Sequence, residues 1–246
     1  MTWTMVDGVG MPSVEARVPA DDPAVTLGWS VFETLGYPGA DLDLHLARLT
    51  HSCLRTHIDP PPAALLRREI EAVGQRFPQG ARIRITLTGG GHRLVRGEPV
   101  DPSRRHRAVR AVRGPYCHEP FLGGGVKHGS RLPWVIALRE SGVDEVLLVD
   151  DDGMFREGTT SGILAVIDGA LHTAPDDGTI LASTAVTGLV MRAVELGIPV
   201  VRSRIPADGP WDALYIASAT RNLAPVVELD GQPMVGFDAV GQKLIS

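Results

Sequence analysis

The chain has 246 residues, enough for one large domain or two small ones, each with a buried core. It is 43% hydrophobic and 22% charged with a net charge of −5, so no basic surplus directs it to nucleic acid or to an anionic membrane. Two cysteines, Cys53 and Cys117, are too few for a disulfide framework and are expected to be reduced thiols of a cytoplasmic protein; Met1 to Met11 lacks the basic start and apolar run of a signal peptide, and no apolar stretch is long enough to span a bilayer.

In chain order, residues 42–58 place leucines at helical spacing, with Asp41 or Asp43 as the cap and Asp59-Pro60-Pro61-Pro62 as the stop. A second helix is predicted from Ala63 to Phe77. Residues 82–88 (Arg-Ile-Arg-Ile-Thr-Leu-Thr) alternate strictly and predict a strand, which Gly89-Gly90-Gly91 breaks. Arg107 to Arg113 alternates again. Residues 114–126 hold too much proline and glycine for regular structure and read as a linker. Beyond it come a short helix from Leu132 to Ser141 and a buried strand from Glu145 to Asp150. Asp152-Gly153 and Asp168-Gly169 are predicted hairpin turns. Ile163 to Ile167 is a strand, Leu171 to Thr173 its return, and 184–197 an amphipathic helix closed by Gly197. Ile198–Val201, Ala213–Ala217 and Val226–Leu229 complete an α+β chain. The predicted division is 1–113, a helix-bearing N-terminal domain; 114–126, a linker; and 127–246, a larger strand-rich domain.

Several motifs are absent. There is no HExxH, no paired CxxC and no EF-hand loop, so no metal site is predicted. Gly158-Thr159-Thr160-Ser161-Gly162 is not GxSxG, because its serine falls one position late. The glycine runs at 89–91 and 123–125 could bind phosphate through backbone amides but read first as flexible connections.

Four segments in order do carry chemistry. Gly28-Trp29-Ser30-Val31-Phe32-Glu33-Thr34 with Leu44-His45-Leu46-Ala47-Arg48-Leu49 resembles a "GDGVFET … HLxRL" opening. Val126-Lys127-His128-Gly129-Ser130-Arg131-Leu132 resembles a lysine segment. Asp144 to Asp150, then Glu157-Gly158-Thr159-Thr160-Ser161, is similar to "DEALLLD … EGSTSN". Ser218-Ala219-Thr220, then Ala224-Pro225-Val226-Val227, is similar to "SxTxxVxPVV". Together, from about residue 25 to 231, they resemble the class IV aminotransferase family, the fold-type IV pyridoxal-phosphate enzymes. The resemblance implies a two-domain fold with a smaller α/β domain and a larger domain built on a barrel-like sheet.

It also implies roles. Pyridoxal 5′-phosphate needs a lysine amine for a Schiff base, a group that holds the pyridine nitrogen, and a phosphate cup. Lys127 matches the lysine; its place after the linker would put it at a domain junction. Glu157 matches the glutamate that keeps the ring nitrogen protonated. Arg48 matches the phosphate-binding arginine, against the alternative of an ion pair with Asp43 or another surface acid. Thr184 and Ala185, opening a helix, and Ser218, Ala219 and Thr220, after a strand, would complete the cup. Phe32 and Trp29 fall on the substrate side, Trp29 with core as its other reading. The usual "TRG" is Thr88-Gly89-Gly90 here, and His92 and Arg93 are its nearby substitutes for holding a substrate carboxylate. Ser183-Thr184-Ala185 lacks the usual final hydroxyl, and Gly162 replaces the usual asparagine.

The function implied is transfer of an amino group between an amino acid and a keto acid by a homodimer. Two alternatives stay open: 4-amino-4-deoxychorismate lyase chemistry, which eliminates pyruvate, and a non-catalytic binding protein on the same fold.

Overall fold

The computed structural model describes residues 2–117 and 121–246. The chain divides into two compact units, Met1–Asp101 with Gly125–Arg131, and Pro102–Gly124 with Leu132–Ser246.

The first unit is an antiparallel sheet covered by helices. Its elements are β1 (Trp3–Val6), β2 (Val9–Pro12), α1 (Pro23–Thr26), β3 (Ser30–Tyr37), α2 (Leu42–Arg55), α3 (Ala63–Gly74), β4 (Ala81–Thr88) and β5 (Arg93–Pro99), with strand order β2-β1-β5-β4-β3. The alternation in β4 has its physical outcome here: Ile83, Ile85 and Leu87 are buried, while Arg82, Arg84 and Thr86 take the other face. Helix α2 buries Leu46, Leu49 and Cys53, and α3 buries Leu66, Ile70 and Val73. Fully burying each such side chain stabilises by about 1.5–3 kcal/mol. Asp41 caps α2, accepting from Leu44 N at 3.2 Å.

The second unit holds β6 (Val109–Pro115), α4 (Leu132–Ser141), β7 (Glu145–Val149), β8 (Met154–Gly158), β9 (Gly162–Ile167), β10 (Ala170–Thr173), α5 (Thr184–Glu195), β11 (Val200–Arg202), β12 (Ile205–Pro206), β13 (Ala213–Ser218), β14 (Asn222–Leu229), β15 (Gln232–Pro233) and α6 (Ala239–Ile245). Nine strands run in the order β11-β10-β9-β13-β14-β6-β7-β8-β12, and β15 pairs with β14. The sheet curls. Val109, Leu147, Phe155, Ile163, Ile205, Leu214, Ile216 and Val226 come from strands spread along it, yet form one buried cluster. On the other face, Leu164, Val166, Leu171, Tyr215 and Ala217 pack with Val186, Leu189 and Ala193 of α5. Strand β9 is therefore buried on both faces, which is why its sequence is a continuous apolar run. Asp168 and Gly169 both take positive φ, 50° and 72°, whereas in the turn before β8 only Gly153 does, at 74°.

The division of the chain differs from the one predicted. The alternating segment near 107–113 becomes β6, which pairs in parallel with β7 and β14 of the second unit. The Lys127 segment goes to the first unit: Phe32 N donates to Lys127 O at 2.9 Å, Gly129 N donates to Ser30 O at 2.7 Å, and Val31 bridges His128. Backbone pairing with distant strands decides both placements, and local composition does not register it. Residues 118–120 of the predicted linker lie outside the described residues.

Candidate active site

In the first unit the geometry centres on a buried acid. Strand β3 carries Glu33, whose side chain has no solvent exposure. Helix α2 carries His45 and Arg48 one turn apart, and that spacing brings both to the same carboxylate. Arg48 donates from Nε to Glu33 Oε1 at 2.6 Å and from Nη2 to Oε2 at 2.8 Å; His45 Nδ1 lies 2.9 Å from Oε2. Burial opposes ionisation of Glu33, but the hydrogen bonds from Arg48 and then His45 outweigh it and hold the pKa at about 2. The "VFET … HLARL" spacing is thus one charged hub. Asp43 is not the partner of Arg48; its carboxylate pairs with Arg67.

Lys127 joins this hub from a separate segment. Its backbone N donates to Ser52 Oγ at 3.1 Å, its side chain is half-buried, and its Nζ lies 5.0 Å from the centroid of the Phe32 ring. The chain contains only two lysines against 22 arginines, and the other, Lys243, is exposed on α6. An arginine keeps its charge at any ordinary pH, so an amine nucleophile has to come from one of the two lysines. Counting lysines in the sequence would have narrowed the choice to Lys127 and Lys243 at once.

Arg84 on β4 stacks on the same Phe32 ring, with Cζ 3.7 Å from its centroid. Among the described residues it has no acidic partner, unlike Arg82 and Arg96, which both pair with Glu98. Burial, and then the like charges of Arg82, Arg131 and Arg96, push its pKa down to about 10, so it stays cationic at neutral pH. Sequence reasoning missed this residue.

The other predicted substrate residues are occupied elsewhere. Arg93 makes a two-point pair with Glu69, at 2.6 and 2.8 Å, and His92 bonds Asp7 at 2.8 Å. Trp29 is 38% exposed and donates from Nε1 to Thr56 O at 2.8 Å. Phe32, by contrast, lies beside Lys127.

In the second unit, Glu157 on β8 accepts from Leu181 N at 3.4 Å. It lines a cleft of ≈ 480 Å³, partly open to solvent, together with Arg156, Gly162, Leu181, Ser183 and Arg202. Ser183 caps α5, accepting from Val186 N at 3.3 Å, so Thr184 and Ala185 are its first helical residues. Gly162, in the place of the asparagine of the resembled motif, has little room for a side chain: a Cβ there would lie 2.6 Å from Val186 Cγ2 and 3.1 Å from Ser183 Cβ. Ser218, Ala219 and Thr220 lie at the turn from β13 to β14, where Ser218 Oγ accepts from Arg221 N at 3.3 Å; they do not line the cleft.

Each unit holds groups of the kinds that pyridoxal phosphate needs: the first a half-buried amine over an aromatic ring and a two-point-held guanidinium, the second a carboxylate in a cleft and a helix start with aligned N–H groups. Arg156 Nε, in a side chain that lines the cleft, is buried with no hydrogen-bond partner among the described residues, so the cleft wall has an unmet donor for an anionic or acceptor ligand. No group of three or more His, Cys, Asp or Glu among the described residues could hold a metal ion, and none of the described helices is long and apolar enough to cross a membrane.

Residues 30–229 match the amino-transferase class IV family. The chain is 27% identical to a putative branched-chain-amino-acid aminotransferase of Methanocaldococcus jannaschii, over 92% of this chain and 88% of that protein. Its fold is similar to that of CpuTA1, a fold IV-transaminase from Curtobacterium pusillum, with TM-score 0.88, 26% identity and coverage of 100% of this chain and 98% of that one. It is also similar to the PLP-bound form of a hypothetical aminotransferase from Mycobacterium tuberculosis, with TM-score 0.90, 23% identity and coverage of 99% and 96%.

Proposed function

We propose that Lys127 is the amine that would bind the cofactor and move the proton as this chain, which belongs to the class IV aminotransferase family, transfers amino groups. The family is pyridoxal-phosphate-dependent, its reaction is transamination between small amino and keto acids, and the fold is that of fold-type IV enzymes. The comparisons favour neither elimination of pyruvate nor a non-catalytic binding protein.

One observation carries the assignment. Of two lysines, Lys127 alone is half-buried, and its Nζ lies over Phe32. Bound, the cofactor supplies the carbonyl that takes up the amino group and a ring that spreads the electron pair left at the substrate Cα. Lys127 Nζ moves the proton at that Cα, acting first as base and then as acid. Glu157 holds the proton on the ring nitrogen. Arg48, oriented by Glu33, would hold the phosphate with the backbone N–H groups of Thr184 and Ala185; Ser218, Ala219 and Thr220, which the resemblance also assigns to the cup, lie at the turn from β13 to β14 and carry no part of this reading. Arg84 receives the substrate carboxylate, since its guanidinium has no internal acid and shares the Phe32 ring with Lys127. The family resemblance supports a homodimer, and two unpaired cysteines support a cytoplasmic setting.

The test is borohydride reduction of the protein loaded with pyridoxal phosphate, followed by peptide mapping. The label is expected on Lys127, and Lys127→Ala is expected to lose both label and transamination. Label on Lys243 in the wild-type protein, with activity intact in Lys127→Ala, refutes the assignment.

A further inference from the structure

Glu145 opens β7 and is completely buried. Its carboxylate collects the side chains of three consecutive residues. Thr159 Oγ1 donates to Oε1, and Thr160 Oγ1 and Ser161 Oγ donate to Oε2 at 2.6 and 2.9 Å. The Thr160 backbone N–H adds a bond at 3.3 Å, and Val146 N donates to Oε1 at 3.1 Å. These donors form the turn that directly follows Glu157. The turn is closed by Gly158 N donating to Ser161 O at 2.8 Å and tied to β7 by Thr159 N donating to Val146 O at 3.0 Å. Gly158 leaves room for this cluster: a Cβ there would lie 2.4 Å from Ser161 Oγ and 3.1 Å from Glu145 Cδ.

Burying a carboxylate is costly unless donors satisfy it. An ionised carboxylate only accepts, so every hydroxyl in the turn must point its hydrogen inward. A glutamine of the same shape would put an N–H₂ against those hydroxyls and force at least one to reverse. Glu145 therefore does what no neutral isostere does: it fixes the orientation of three successive side chains from one point.

We infer that Glu145 is a positioning residue for the reaction, acting through the Glu157–Ser161 turn to hold the Glu157 carboxylate in its productive orientation. This rests on the reading of Glu157 as the partner of the cofactor ring nitrogen. Glu145 is completely buried and acts only through the turn. Its effect is that of an outer-shell group, whose loss lowers affinity or activity by about 10–100-fold in comparable sites.

The experiment compares Glu145→Gln, Glu157→Gln and the double variant. Two readouts are used: amide hydrogen exchange of the cofactor-free protein and the dissociation constant for pyridoxal phosphate from absorbance titration. Glu145→Gln is expected to speed exchange at amides 158–161 while leaving the β9 and β13 amides unchanged, and to weaken cofactor binding about tenfold. The double variant is expected to bind no worse than Glu157→Gln alone, because both changes remove the same oriented carboxylate. Thr160→Val, which deletes one donor and keeps the buried charge, should shift both readouts in the same direction by about two- to threefold, and serves if Glu145→Gln does not fold. Wild-type cofactor affinity in Glu145→Gln, or losses that multiply in the double variant, overturn the inference while the role of Glu157 stands. Wild-type affinity and turnover in Glu157→Gln remove the reading beneath it, and the inference with it.

Discussion

Arg48 and Glu33 meet as a two-point pair, guanidinium edge to carboxylate edge at 2.6 and 2.8 Å, with the arginine side chain 10% exposed and the glutamate not at all. The pair joins a helix to a strand and fixes the direction of the one arginine that the family resemblance assigns to the phosphate.

Removing one partner of such a pair leaves a buried charge without compensation. Glu33→Gln is therefore expected to destabilise the cofactor-free protein by about 3–5 kcal/mol, measured by urea unfolding. A paired change, Glu33→Gln with Arg48→Met, should be less damaging than the single change because no cation is stranded. Equal stability of wild type and Glu33→Gln would show that the hub contributes nothing.

The same carboxyl sets an acid limit. Its folded pKa of about 2 lies below the ordinary value of 4.5, so its contribution is complete above that ordinary value and is lost as pH falls from there toward 2. The shift corresponds to on the order of 3 kcal/mol. Unfolding free energy should fall more steeply between about pH 5 and about pH 2.5 in the wild type than in Glu33→Gln. Parallel pH profiles for the two proteins would contradict the assignment of that window to Glu33.

Much of this was legible in the sequence where local physics decides. The alternation of β4, the leucine spacing and Asp41 cap of α2, and the Asp168-Gly169 turn each reflect one residue's own geometry. The family segments named Lys127, Glu157 and Arg48. What failed to show was set by partners far along the chain. Strands β1 and β2 are four residues each and flank Asp7-Gly8, both at positive φ, a turn signal as good as the one at 168–169 but with too little strand on either side to stand out. Arg84 was invisible for a reason of register: β4 and β5 pair Arg82 with Glu98 but Arg84 with Arg96, so two arginines two positions apart meet opposite charges. A one-dimensional pattern of alternating arginines cannot carry that difference. Glu145 was quoted only as part of a motif, and its role depends on three hydroxyls folding back from 14 to 16 residues downstream.

The register of Arg84 yields a kinetic expectation. A charge-assisted bond to a carboxylate is worth about 1.5–3 kcal/mol, or roughly 10- to 100-fold in binding. Arg84→Ala should raise KM for both the amino and the keto acid by that order, with a smaller change in kcat. Arg84→Lys should recover part of it, since a point charge replaces a fork. Steady-state kinetics of both half-reactions check this. If KM is unmoved while the melting temperature drops, Arg84 serves the sheet and not the substrate.

Gly162 offers the sharpest structural expectation, because its φ is not in the left-handed region and only space explains it. A Cβ at 162 would come within 2.6 Å of Val186 Cγ2, on the first turn of α5, whose N-terminus is assigned to the phosphate. Gly162→Ala must displace that valine or the helix start, at a cost of about 1–3 kcal/mol. Gly162→Asn, which restores the family's usual residue, should cost more and weaken cofactor binding as well, since the displaced element is the helix start itself. Val186→Ala opens the space from the other side. The double variant Gly162→Ala with Val186→Ala should therefore be more stable than the sum of the two single losses by at least about 1 kcal/mol, a coupling expected only of residues in contact. Urea unfolding of the four proteins closes the cycle. Strict additivity would mean that the glycine is there for another reason, and that α5 is free to adjust around a side chain at 162.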